Sequence, residues 1–195
     1  MTAYRRLATI PRPLAFCLAV LCLSLLQPAT SRAEEPSSPS DSGLRQLDFF
    51  IGQWDVVALD AEGHQIVGRA RTEVRYILDG TTMQADYYGL DPAGRTVFRG
   101  TTIRTYVPQT DRFVVHWAMA NLPGYTYIDV EYRDGELHGK GRGFDTRGEF
   151  VERYRYFDLS AEHYSFEMSR SYDGGATWEP LANLRATKHH ATASP

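Results

Sequence analysis

The side chains of this sequence that could do chemistry gather in two stretches. Phe150-Val151-Glu152-Arg153-Tyr154-Arg155-Tyr156 sets a carboxylate and two phenols on one face of a period-two pattern, with Arg153 and Arg155 on the other. Phe113-Val114-Val115-His116-Trp117-Ala118-Met119 carries one histidine in an apolar run. Burial raises the pKa of a glutamate and can make it a general acid or base, unless an arginine lowers it again. Glu152 in that role, with His116 and Tyr154 as donors, would isomerise, cyclise or oxidise a small apolar or aromatic substrate. The plainer alternative is an ion pair, because a buried carboxylate needs a partner. Arg170 and Arg104 are the candidates for it. Both arginines, with Tyr76, Tyr87, Tyr156, Phe166 and Met168, would otherwise line a ligand cavity. No histidine or carboxylate set has metal-ligand spacing, no serine sits on a G-x-S-x-G elbow, and no cofactor is expected.

These residues need a scaffold, and the spacing predicts an all-β one. A short helical turn over 44–51 leads into strand-like runs at 54–59, 65–78, 81–90, 95–106, 113–121, 126–132, 137–144, 149–159, 164–171 and 177–186. Between them lie Asp-, Gly- and Pro-rich breaks such as Asp60-Ala61-Glu62-Gly63, Asp91-Pro92-Ala93-Gly94 and Arg133-Asp134-Gly135. No helical pattern of ten or more residues intervenes, so successive strands should pair antiparallel. About ten strands in a meander favour a single closed up-and-down barrel, because closure removes both exposed edges. A two-sheet sandwich is the alternative.

Parity assigns most faces. Ile66, Gly68, Ala70, Thr72, Val74, Tyr76 and Leu78 point inward, opposite Arg69, Arg71, Glu73 and Arg75. Gly139, Gly141 and Gly143 share one face, opposite His138, Lys140 and Arg142. Such glycines either open a lumen or let another backbone approach. They are no phosphate loop, since no helix N-terminus follows. Tyr164, Phe166, Met168 and Arg170 point inward together. The strand around His116 stays open. With Val114 and Ala118 inside, His116 points in, and Phe113, Val115, Trp117 and Met119 form an exposed patch suited to a homo-oligomer. With the large set inside, His116 faces solvent.

The N-terminus reads as a secretory signal: Arg5, Arg6 and Arg12, an apolar run from Leu14 to Leu26, then Ser31-Arg32-Ala33 for cleavage after Ala33. The apolar run is short of the ~20 residues of a membrane span. Residues 34–42 follow as a flexible linker, 43–187 as the barrel domain and 188–195 as a disordered tail. Both cysteines, Cys17 and Cys22, fall in the removed segment, so the domain must rely on its core rather than disulfides. Losing four arginines takes the formal charge from −3 to −7, which disfavours nucleic acid and anionic membranes as partners. A periplasmic or secreted location follows.

Leu47-Asp48-Phe49-Phe50-Ile51-Gly52-Gln53-Trp54, a short helical lead into G-x-W, resembles the opening of the calycins: lipocalins, fatty-acid-binding proteins and nitrobindin-like barrels. The stretch from Leu44 to Arg185 is similar to a bacterial family of exported or cytosolic domains of unknown function, in its L-D-F-x-x-G-x-W start and S-x-D-G-G-x-T-W end. The resemblance implies a barrel holding small hydrophobic or aromatic molecules. It also implies that Trp54 closes one end beneath an arginine of the last strand, for which Arg185 is the match. Nitrobindin-like proteins hold haem through a C-terminal histidine. His163 falls in a turn, so haem is not carried over. Ser171-Tyr172-Asp173-Gly174-Gly175-Ala176-Thr177-Trp178 resembles the Asp-box hairpins of sialidases. Those propellers repeat the signature in blades of about 40 residues. One copy without a repeat argues against a glycosidase and for a clasp, with Asp173 and Trp178 as its structural residues.

Overall fold

The structure is a computed structural model that describes residues 43–120 and 124–190. The expected signal (1–33) and linker (34–42) lie outside the described residues, as do 191–195. Ten strands follow one another: β1 (Gly52–Leu59), β2 (Gln65–Ile77), β3 (Thr82–Leu90), β4 (Thr96–Val107), β5 (Arg112–Met119), β6 (Tyr125–Arg133), β7 (Glu136–Asp145), β8 (Gly148–Phe157), β9 (His163–Ser171) and β10 (Glu179–Lys188). Each pairs antiparallel with its neighbours in sequence, and β1 pairs with β10, so the sheet closes into an up-and-down barrel. β10 runs through Lys188, and the two residues after it are also held. His189 N–H donates to Gln53 O, and its ring lies 2.7 Å from Asp55.

The turns follow from side-chain chemistry. Asp60 Oδ1 accepts from the amides of Glu62 and His64, and Asp91 Oδ1 from those of Ala93 and Arg95. Asp134 and Gly135 both take positive φ (54° and 77°), as a two-residue hairpin matched to the strand twist requires.

Turns of a meander alternate between the two ends of its barrel. The 3-10 segment Gly43–Phe50 caps the end where β1 begins. Leu44, Leu47 and Phe50 recur every third residue, the repeat that stacks side chains on one face of a 3-10 helix, and all three are buried. Phe50 meets Tyr156 and Tyr164 edge-on at 5.2 and 5.1 Å. Trp54 is fully buried beside them, and its indole N–H donates to Phe50 O at 2.7 Å. The far end carries the β1–β2, β3–β4 and β7–β8 turns and the Asp-box hairpin.

Candidate functional site

The interior is built from cross-strand pairs that share a face. One row runs around the barrel through Met83, Arg104, Val115, Ile128, Gly141, Glu152 and Arg170. A second carries Phe113, Val130, Gly139, Tyr154 and Met168. The glycines of β7 are seats. A Cβ at Gly139 would press on the Tyr154 ring, at 2.5 Å from Cε2 and 2.6 Å from Cε1. One at Gly141 would lie 2.8 Å from Glu152 Cγ; one at Gly143 would run into the Tyr125 carbonyl of β6, the close backbone approach that glycine permits, and lie 2.8 Å from Phe150 Cζ. These glycines therefore open no lumen, because the inward side chains of β8 lie across them.

Glu152 is 4% exposed, and its Oε2 accepts from Arg170 Nη2 at 2.9 Å. Arg170 Nη1 donates to Asp145 Oδ2 at 2.8 Å, which also accepts from the Tyr172 hydroxyl at 2.8 Å. The guanidinium lies over Phe150, 3.6 Å from its centroid. One buried cation thus serves two carboxylates and ties β8 to the β7–β8 turn and the Asp-box hairpin. Burial pushes the Glu152 carboxyl above the usual range, and the hydrogen bond and charge of Arg170 offset this only in part. Burial also acts to raise Asp145. Hydrogen bonds from Tyr172 and the Arg147 amide, with the Arg170 charge, outweigh it and hold that carboxyl low.

His116 does not join Glu152. It is exposed on the outside of β5, its ring 5.2 Å from Tyr127. The large set decides the direction. Phe113 and Val115 are buried, and Trp117 packs inward against Gly100 and edge-on to Tyr87 at 6.2 Å. Burying two aromatic rings and a valine outweighs burying an imidazole with Val114 and Ala118. The conditional oligomer patch of Phe113, Val115, Trp117 and Met119 therefore does not form. The acid, base and donor set of Glu152, His116 and Tyr154 is not assembled.

The cation over Trp54 is Lys188 and not Arg185. Lys188 is the cross-strand partner of Trp54, its Nζ lies 4.4 Å from the ring centroid, and it donates to Ile51 O. Arg185 differs from Lys188 in parity and is exposed on the outer face. Tyr76 leaves the cavity wall as well. Its hydroxyl donates to Asp48 in the cap, Arg45 sits 4.2 Å over its ring, and burial followed by the Asp48 hydrogen bond raises its pKa to about 12.

What remains inside is an aromatic chamber above the cap. Tyr154, Tyr156 and Phe166 contact one another at 4.6–5.6 Å between centroids, and Tyr156 meets Tyr164 at 5.7 Å. Tyr87 faces them from β3, with Met168 and Leu184 half-buried on β9 and β10. Burial pushes the phenols of Tyr87, Tyr154 and Tyr164 upward, so all three are neutral donors. The hydroxyls of Tyr87, Tyr154, Tyr156 and Tyr164 make no hydrogen bond among the described residues, yet none is a sealed atom. They therefore border open space. Arg104, 7% exposed, stands at the floor of the chamber with its guanidinium 5.4 Å from the Phe50 centroid.

The Asp-box closes the far end of the β9–β10 pair. Asp173 accepts from the Thr177 hydroxyl at 2.6 Å and its amide at 2.9 Å, and the Ser171 hydroxyl donates to it at 2.7 Å. These bonds hold the Asp173 carboxyl well below the usual carboxylate range. Gly174 and Gly175 take φ of 72° and 100°. Trp178 donates to Gly175 O at 3.0 Å, beneath Arg153 at 4.3 Å. None of the six histidines faces the interior: His163 is exposed at the start of β9, hydrogen-bonded to Ser160.

Sequence reasoning missed Lys188, Asp145, Tyr172 and Trp117. Lys188 depends on the β1–β10 register, which no local pattern states. Asp145 and Tyr172 lie in or beside turns, where their sequence context signals only the turn.

No protein-family model matches the chain, and no curated protein matches it. Among solved structures it is similar to the crystal structure of Rv2717c from M. tuberculosis, with a TM-score of 0.50 and 9% identity over 76% of this chain and 98% of that one. At that identity the likeness is one of fold: a closed barrel.

Proposed function

We propose that the chain is an exported, calycin-like barrel protein that binds a small hydrophobic or aromatic molecule in its interior. One observation carries the reading. Four inward phenols, from Tyr87, Tyr154, Tyr156 and Tyr164, have no protein acceptor and border open space. Donors left unmatched around rings and the thioether of Met168 suit a guest that is apolar with a few acceptors.

Export rests on the N-terminal sequence, and N-terminal sequencing of protein from a periplasmic fraction checks it. The expected first residue is Glu34, and a chain retaining Met1 contradicts export. A thermal-shift panel of alkyl and aryl compounds tests binding. Several should raise the melting temperature, and Met168→Trp, which fills the chamber, should abolish the shifts. Equal shifts in the variant place binding outside the barrel and refute the reading.

A further inference from the structure

Arg104 has no counter-ion. Its Nη1 is sealed from solvent without a hydrogen-bond partner, and its other guanidinium nitrogens make no hydrogen bond or ion pair among the described residues. Its guanidinium lies 5.4 Å from the centroid of the Phe50 ring. The interior carboxylate, Glu152, lies across β5, β6 and β7 on the same row and is taken by Arg170. Arg170 also holds Asp145. The buried ionic groups therefore divide into one charge-paired cluster near the Asp-box, in which only Arg170 Nε lacks a partner, and one cation without a counter-ion at the floor. A guanidinium keeps its charge even when buried, and a buried charge without a partner is strongly unfavourable. Its charge also acts on the phenols of Tyr154 and Tyr164.

We infer that the ligand carries a carboxylate, and that Arg104 grips it head-down at the floor while its apolar body lies among the rings toward the far end. The inference rests on the ligand-binding reading above and names the ligand's class. A carboxylate fits for two reasons. The planar guanidinium fork matches two carboxylate oxygens side by side. One unpaired charge balances a monoanion, whereas a phosphate dianion would leave a net negative charge in the core. Neutral tyrosine hydroxyls can donate to the same oxygens.

The test is calorimetric titration of the full mature chain with matched probes: octanoate and 4-phenylbutyrate against their primary amides, which keep the shape and lose the charge. Wild type should bind at least one carboxylate tenfold or more tighter than its amide, and Arg104→Met should erase that preference. Arg104→Lys should keep part of it. Without ligand, Arg104→Met should melt at or above the wild-type temperature, because it removes an unpartnered charge. Amides bound as tightly as carboxylates, or carboxylate affinity unchanged in Arg104→Met, overturns the inference while the ligand reading stands. An Arg104→Met chain that melts well below wild type also overturns it, by showing a structural arginine. If neither probe series nor the wider compound panel binds wild type, both readings fall together.

Discussion

Gly139→Ala adds a methyl group where a ring already lies. Its Cβ would meet three atoms of Tyr154, Cε2 at 2.5 Å and Cε1 at 2.6 Å, with Cζ closer still. Carbon atoms rest about 3.5–4.0 Å apart, so the ring must retreat by about 1 Å. Tyr154 is 9% exposed and hemmed in by Tyr156 and Phe166 at 5.5 and 5.6 Å. Its retreat displaces them too. Overpacking of this kind costs about 1–3 kcal/mol, and three crowded ring atoms place it in the upper half. Alanine recovers about 0.5–1 kcal/mol over glycine in a strand interior. Gly139 is not among the positive-φ glycines, so backbone strain adds nothing. The net loss is about 1–2.5 kcal/mol, a fall in Tm of roughly 2–10 °C for a domain of this size. The assay is thermal unfolding by circular dichroism across a double-mutant cycle. In a Tyr154→Leu background the ring is gone, and Gly139→Ala should be neutral or mildly stabilising. Equal costs in both backgrounds would refute the claim that β7 glycines seat β8 side chains.

Three further predictions follow from the same contacts. Arg170→Met leaves Glu152 and Asp145 without their shared cation and should cost about 3–5 kcal/mol in urea unfolding, well beyond Glu152→Gln, which keeps an acceptor for Arg170; comparable losses would mean that the charges do not matter. Lys188→Ala should lower Tm through loss of about 0.5–2 kcal/mol over Trp54, whereas Arg185→Ala should leave Tm unchanged, and the reverse order would restore Arg185 as the cap's cation. The Asp145 and Asp173 carboxyls are held low in the fold, so their contribution is present above the unfolded value of about 4 and is lost as pH falls below it. Glu152, raised by burial, runs the other way: its contribution is present at low pH and lost as pH rises through its folded value. Melting temperature followed from pH 7 to pH 2 should fall on the acid side, and less steeply in Asp173→Asn; an unchanged acid limb contradicts the assignment.

The barrel was legible because its strands alternate and its turns announce themselves. Asp60, Asp91 and Asp134-Gly135 sit where hairpins need them, and parity alone put Glu152 and Arg170 inside together. Parity failed where both faces were apolar. The direction of β5 depends on Gly100 in β4 leaving room for Trp117, a cross-strand fact invisible within 113–119. The β7 glycines misled for a similar reason. Three glycines in alternation look like empty space until register places Tyr154, Glu152 and Phe150 over them. Arg185 was chosen by likeness to other barrels, whereas the β1–β10 register that closes the barrel sets Lys188 opposite Trp54. The isolation of Arg104 follows from the meander: Arg170 on β9 is the direct cross-strand partner of Glu152, whereas three strands lie between Glu152 and Arg104.

Native mass spectrometry of the mature protein, purified without denaturant from its own host, tests interior ligand binding most directly. A second species is expected, heavier by the mass of one small molecule. That species should vanish when the barrel is unfolded in acid and be absent from Met168→Trp. A single species at the mass of the chain alone, unchanged after incubation with the alkyl and aryl probes, would contradict it.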